Sequence, residues 1–205
     1  MNKYRIFIVT IFISCFINLL SCKTTGQFSG TAKLVVLIVD ETGKGVNNCS
    51  ITLSNFNKSE NGVTNASGMC VFNNVPAGEY SLLGCKTGYT KLKPAAFCFN
   101  DKSDVFCFEI LSSEYVFDYS EQLFLEEKYT NAIELLDEIY CDKKSSVNAT
   151  VCLYKAYGFT LQENRNSALA ELKKMKKADK SFTDLYSMVY PKIEAAFERK
   201  LLEVE

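Results

Sequence analysis

The chain has 205 residues, with 23 Lys and Arg against 24 Asp and Glu, no histidine and no tryptophan. A net charge of -1 and a pI near 5.7 exclude a basic nucleic-acid binder. The missing histidine removes the commonest general base and the commonest metal ligand, and the length suffices for two small cores.

The chain opens with Lys3 and Arg5, then an apolar run from Ile6 to Leu20, closed by Leu19-Leu20-Ser21-Cys22. A basic start, an apolar stretch and a small residue before the cut form the pattern of a secretory signal. The run is about fifteen residues, short of the roughly 20 a spanning helix needs. Thr10, Ser14, Cys15 and Asn18 also interrupt it. With a cysteine directly after the small residue, the segment resembles a bacterial lipoprotein signal. That resemblance implies removal of residues 1–21 and lipidation of Cys22. The protein would then sit in the bacterial cell envelope, lipid-held at the outer membrane or the periplasmic face of the inner membrane. An ordinary cleaved signal and an uncleaved anchor are the alternatives. Anchoring energetics agree with several acyl chains, because each buried CH₂ contributes about 0.8 kcal/mol and one chain alone binds marginally.

Residues 22–31 read as a polar tether, with Gly26 and Gly30. From residue 32 the pattern is that of strands. Residues 33–40 form a Val, Leu and Ile run, and Cys49-Ser50-Ile51-Thr52-Leu53-Ser54 alternates with period two. Shorter strands are expected at 61–64, 69–73 and 80–86, separated by Ala66-Ser67-Gly68 and Val75-Pro76-Ala77-Gly78. Short strands at this spacing, split by Gly, Pro and Asn, indicate a β-sandwich.

Five pieces then stand in order: Val39-Asp40-x-x-Gly43, the strand at 49–53, Thr64-Asn65-Ala66-Ser67-Gly68-Met69, Val75-Pro76-Ala77-Gly78-Glu79-Tyr80, and Gly88-Tyr89. Together they resemble the carboxypeptidase regulatory-like domain, a transthyretin-like seven-stranded sandwich, over about residues 31–111. The resemblance implies that Tyr80 packs in the core. It carries over no catalytic residue and implies a packing, spacer or interaction module.

Nine cysteines stand at 15, 22, 49, 70, 85, 98, 107, 141 and 152. Without Cys15 and Cys22 seven remain, an odd number that leaves at least one thiol free or paired with another molecule. None has C-x-x-C spacing, so a zinc or thioredoxin-like motif is unsupported. Phe97-Cys98-Phe99 and Phe106-Cys107-Phe108 flank a turn-rich tract and suggest a hairpin. Opposed in antiparallel strands, Cys98 and Cys107 would share one face, within disulfide reach, and the four phenylalanines the other. Cys141 and Cys152, near the facing ends of two predicted helices, are the second candidate pair. The alternative for both is a set of small buried hydrophobes.

After Leu111 the period turns helical. Ser112 or Ser113 with Glu114 can cap a helix to about 128. Further helices are expected at about 130–140, 148–162 and 166–177, and a last stretch from Ser181 that Pro191 should kink or split. Ser120, Leu123, Ala132, Leu136 and Ile139 recur, 36 residues on, as Ala156, Phe159, Ala168, Leu172 and Met175. The echo resembles two degenerate tetratricopeptide-type repeats. Tyr129 fits that family's aromatic position and Arg165 does not; Glu127 and Glu163 replace its usual glycine, and the closing prolines are missing.

The first two helices are acidic and the fourth is lysine-rich, a pattern read as solvated faces. Neighbouring carboxylates such as Glu126 and Glu127 point about 100° apart on a helix, unlike a glycosidase pair across a cleft. Asp40, Asp101 and Asp104 lack the EF-hand spacing. The expectation is an α+β chain in two domains. An antiparallel β-sandwich covers 32–111 and a tetratricopeptide-like all-α array covers 112–205, after the leader 1–21 and tether 22–31. Its expected role is a non-catalytic, membrane-anchored interaction or scaffold module with a protein partner in the envelope, no cofactor, no metal and no nucleic acid. Tyr119, Tyr154 and Tyr157 are the candidate partner-binding residues. Alternatives are a carbohydrate- or peptidoglycan-binding lipoprotein, which predicts an exposed aromatic row on one sheet, and an enzyme with a site where the two domains meet.

Overall fold

The computed structural model describes residues 28–203, so the leader, Cys22 and most of the expected tether lie outside the described residues. The strands are β1 Thr31–Val39, β2 Ser50–Ser54, β3 Ser59–Val63, β4 Met69–Pro76, β5 Gly78–Cys85, β6 Tyr89–Thr90, β7 Leu92–Phe99 and β8 Val105–Glu109. Then follow α1 Ser113–Leu125, α2 Tyr129–Asp137, the short β9 Ile139–Tyr140, α3 Ser146–Leu161, α4 Arg165–Ala178, a 3₁₀ turn Lys180–Phe182 and α5 Thr183–Glu203.

Two sheets, ordered β4-β1-β8 and β3-β2-β5-β7, enclose an apolar core. Period-two alternation sends Leu34, Val36 and Ile38 inward from β1, Ile51 and Leu53 from β2, Cys70 and Phe72 from β4, and Tyr80 and Leu82 from β5. Each such burial contributes about 1.5–3 kcal/mol. Tyr80 is a core residue, and its hydroxyl donates to the Pro76 carbonyl at 2.9 Å.

Two turns carry the sequence motifs. The Asp40 carboxylate accepts from the Thr42 and Lys44 amides, each at 3.0 Å, and from the Thr42 hydroxyl at 2.6 Å. The Asn65 side chain accepts from the Ser67 and Met69 amides at 2.9 and 3.0 Å. The turns press backbone to backbone: a Cβ on Gly68, whose φ is +78°, would lie 2.3 Å from the Ile38 carbonyl oxygen and 2.7 Å from the Gly45 Cα.

Two expectations about the sandwich are corrected. It is not wholly antiparallel, because β1 and β8 run parallel, from Val35 opposite Val105 to Val39 opposite Glu109. Nor do the Phe-Cys-Phe segments pair as a hairpin: β7 belongs to the four-stranded sheet and β8 to the three-stranded one, so the loop at 100–104 crosses between sheets. The four phenylalanines do share the inner side, with Phe97 and Phe106 ring centroids 4.2 Å apart and Phe99 and Phe106 6.3 Å. Placing them on two facing sheets encloses them, whereas a hairpin would leave one side of every ring in water. Cys98 and Cys107 consequently emerge on the outer faces of different sheets as exposed free thiols.

Three of the helices, α1, α3 and α4, begin at side-chain caps. Ser112 Oγ accepts from the Tyr115 amide, Ser145 Oγ from Asn148 and the Asn164 side chain from Ser167, at 3.2, 3.1 and 3.2 Å. Two helix ends 36 residues apart close alike. After α1, the amides of Glu126, Glu127 and Lys128 donate to the carbonyls of Gln122, Phe124 and Leu123; after α3, Gln162, Glu163 and Asn164 donate to Gly158, Thr160 and Phe159. This is the same Schellman-type closure twice, and Glu127 and Glu163 both take φ 60° where glycine is favoured. Ser120, Ala132, Ala156 and Ala168 are fully buried, which lets the helices approach closely. Ile139 and Tyr140 leave the expected helix and pair as β9 with β6, while α5 is not split at Pro191, which stands on its exposed side.

A hydrogen-bonded seam joins strands to helices. Tyr89 pairs with Tyr140 and Thr90 with Ile139, while the Glu41 carboxylate accepts from the Ser112 amide at 2.9 Å and the Ser112 hydroxyl at 2.6 Å. Lys93 adds an ion pair to Glu138 at 3.0 Å.

Candidate functional site

An open apolar groove of about 510 Å³ runs between α1 and α3. Phe124 and Leu125 line it from the end of α1; Leu153, Tyr154, Tyr157 and Leu161 line it from α3. Helical spacing explains the second set, because 153, 157 and 161 fall one turn apart on a single stripe. Leu125 is 85% exposed and Tyr157 53%, so the groove's apolar surface is accessible.

Rings fix its walls. Phe117 and Tyr154 centroids lie 4.8 Å apart, and Phe124 meets Tyr157 edge-on at 5.3 Å. Gly158 allows this approach: a Cβ there would lie 2.9 Å from Phe124 Cε1 and 3.0 Å from Ile133 Cγ1. At the rim the Tyr154 hydroxyl donates to the Glu121 carboxylate at 2.5 Å. Burial, and then that hydrogen bond to an anion, push the Tyr154 phenol up to about 12. The site therefore offers an apolar floor and one oriented negative charge, suited to holding a chain segment by shape.

The structure brings two of the three expected tyrosines together. Tyr154 and Tyr157 line the groove; Tyr119 instead stacks on Tyr115, with centroids 6.2 Å apart. Cys22 lies outside the described residues. Cys141 and Cys152 are both free thiols. Cys152 is buried among α3 and α4 residues, and its thiol is pushed up to about 12, first by burial and then by the Glu171 charge. Sequence reasoning missed Glu121, Phe124, Leu125, Leu153 and Leu161. Leu125, an apolar residue immediately before Glu126-Glu127-Lys128, was the available signal.

Asp40 and Asp101 cap turns, Asp101 accepting from the Ser103 amide and hydroxyl at 2.9 and 2.7 Å. Among the described residues no three His, Cys, Asp or Glu side chains group as a metal site. No described helix is long and apolar enough to cross a membrane.

No family model matches the chain, and no curated protein matches it. Solved structures similar to part of it include the Bacillus anthracis TIE protein, at 20% identity over 40% of this chain and 17% of that one, TM-score 0.36. The full-length major pilin SpaD of Corynebacterium diphtheriae is similar at 14% identity over 44% of this chain and 32% of that one, TM-score 0.36. A protein of Bacteroides uniformis assigned as carbohydrate-binding is similar at 17% identity over 42% of this chain and 43% of that one, TM-score 0.35. The chain spans less than half the length of each of these proteins.

Proposed function

We propose that the chain is a non-catalytic, lipid-anchored lipoprotein of the bacterial cell envelope that binds a protein partner. Acylation at Cys22 holds a sandwich of the carboxypeptidase regulatory-like kind, followed by a tetratricopeptide-like array as a second domain. The observation that carries the binding role is the accessible apolar groove between α1 and α3. The 36-residue correspondence of caps and buried small residues supports the repeat reading, in which α1 and α3 are the inner helices. The groove's chemistry suits a peptide segment with apolar anchors and one basic residue facing Glu121. Anchoring raises the effective concentration near a partner on the same membrane.

A photo-reactive residue replacing Tyr157 in cells tests the binding role. It should crosslink one polypeptide partner strongly, whereas the same residue at Met188, equally exposed at 55% on α5, should not. Equal labelling from both positions rejects the groove. Mass spectrometry of the mature chain tests the anchor: an unacylated species beginning at Met1 rejects it.

One observation favours carbohydrate as a second reading. Phe56 is 97% exposed at the β2–β3 turn, beside a shallow pocket that includes Ser54, Asn55, Glu79 and Ser81. The described outer face of the four-stranded sheet carries no aromatic row; between β2 and β3 its pairs are polar, Thr52 with Asn61 and Ser54 with Ser59. Retention on cell-wall polysaccharide that is lost in Phe56→Ser and unaffected by Tyr157→Glu would replace the protein-partner reading with this one.

A further inference from the structure

Among the described residues strand β8 is an edge strand, bound to β1 on one side. Its orientation follows from one bond. The Ile110 amide donates to the Val39 carbonyl at 3.0 Å. Backbone groups of a strand alternate sides, so Phe108 and Phe106 also face β1 while Val105, Cys107 and Glu109 turn their N–H and C=O groups to the open edge. Among the described residues no hydrogen bond reaches those groups.

The other described edges carry guards along at least part of their length. The outer strand β7 carries Lys93 and Pro94, β3 reads Ser-Glu-Asn-Gly-Val, and β4 closes on Asn73-Asn74-Val75-Pro76. Lysine, proline and polar residues are the usual guards of a free edge. Val105-Phe106-Cys107-Phe108-Glu109 has one charge, at its end, and no proline or glycine. Both sides of the strand are greasy. Outward, Val105 is 58% exposed and Cys107 is exposed, continuing through the register to Val35 and Leu37 on β1 and to Val71 and Met69 on β4. Inward, Phe106 and Phe108 are only partly buried.

We propose that a second copy of this chain pairs with the open edge of β8, antiparallel, about a two-fold axis through Cys107. The five residues are centred on that cysteine, so the axis sets Val105 opposite the second copy's Glu109, Phe106 opposite its Phe108, and Cys107 opposite its own equivalent. No like charges meet, the aromatic rings cover one another across the strands, and two three-stranded sheets become one of six strands. An isologous contact of this kind closes on itself and stops at the dimer. Five residues span about 17 Å, so roughly 350 Å² per copy is covered, below the about 800 Å² per partner of a standard interface. The dimer is therefore weak in solution. The surface is remote in kind from the α1–α3 groove and does not depend on the function proposed for it.

Hydrogen-bonded antiparallel partners have Cα atoms about 5.5 Å apart, inside the range a disulfide spans. Oxidising the full-length chain in detergent with diamide, which takes up the two thiol hydrogens, should give a disulfide between two copies of Cys107, identified by mass spectrometry of the digested dimer. Cys98, also exposed but on the other sheet, should not form the corresponding dimer. Under reducing conditions, sedimentation should show a monomer–dimer equilibrium. Val105→Glu, which sets a second carboxylate opposite the second copy's Glu109 in this register, should weaken it at least about tenfold; Leu83→Glu, 44% exposed on the other sheet, should leave it unchanged. Circular dichroism of both variants checks that the fold is retained. Crosslinking dominated by Cys98 or by Cys98 with Cys107, a monomer at every concentration, or association indifferent to Val105→Glu overturns the proposal.

Discussion

Glu127 and Glu163 occupy the left-handed region at φ 60°, where a side chain crowds the following carbonyl and costs about 1 kcal/mol relative to glycine. Glu127→Gly should therefore raise stability by about 0.5–1 kcal/mol, read as a higher urea midpoint at unchanged slope. Gly68→Ala tests the opposite sign. Its φ is also positive, and the new Cβ would meet backbone that cannot move aside, so a loss of about 2–4 kcal/mol is expected in the same measurement. Gly68 was legible in the sequence because a glycine after Asn-Ala-Ser marks a turn. The two glutamates were legible only through the 36-residue echo, since a glutamate closing a helix otherwise looks like any exposed charge, and their positive φ came only with the structure. Tyr154 adds a pH signature. Its phenol is raised in the folded chain from about 10 to about 12 by burial and by Glu121. The contribution of that environment is complete below about pH 10 and lost as pH rises through about 12. Ultraviolet titration, as a difference from Tyr154→Phe, should show this ring ionising late, and Glu121→Gln should bring its midpoint down.

Between helices, packing turns charges inward that look solvated in the sequence. Lys155 of α3 reaches Asp137 of α2 at 2.6 Å and Glu171 of α4 at 3.7 Å, and Lys174 reaches Glu171 at 2.7 Å. The Lys155 side chain is only 14% exposed and that of Glu171 8%. Lys155→Ala leaves a buried carboxylate with Lys174 alone, so a loss of about 1–3 kcal/mol is expected in denaturant titration. Lys58→Ala, at a well-exposed pair with Glu60, should change little. The helices themselves were readable from their apolar stripes and caps. Which charged residues meet was not, because helix rotation and crossing are set by Ser120, Ala156, Gly158 and the rings opposite them. The same limit governs β8: its alternation announced a strand, but nothing local distinguishes a hairpin partner from a neighbour reached by crossing between sheets. The groove shows both halves of this. Tyr154 and Tyr157 could be named from α3 alone, whereas Phe124 and Leu125 join them only once α1 is laid alongside.

Across the whole molecule, strands and helices meet through short contacts that carry no periodic signal. Thr87-Gly88-Tyr89 reads as a turn and Ile139-Tyr140 as the end of a helical stripe, yet they form the β6–β9 pair, supported by main-chain bonds from Gly88 to Tyr140, Thr90 to Leu111, Lys91 to Glu138 and Ser113 to Gly88. Glu41 reaches across this seam from the β1–β2 turn, accepting two bonds from Ser112 while Ser112 caps α1. Removing it takes away the partner of the capping hydroxyl and of a main-chain amide at once, on a partly buried site. Glu41→Ala should therefore loosen the seam before it unfolds either side. Hydrogen exchange followed by mass spectrometry should show faster exchange at residues 88–91, 111–115 and 138–140, with the sandwich core at Leu34–Ile38 and the buried face of α4 still protected. Uniformly faster exchange would mean that Glu41 stabilises the entire fold, and unchanged exchange at the seam would mean that the β6–β9 pair holds it without the carboxylate. The first pattern has a consequence for binding, because α1 contributes Phe124 and Leu125 to the groove and is fixed at its other end by this carboxylate. A partner segment seated against those residues would then bind more weakly to Glu41→Ala than to the parent chain, although Glu41 lies outside the groove.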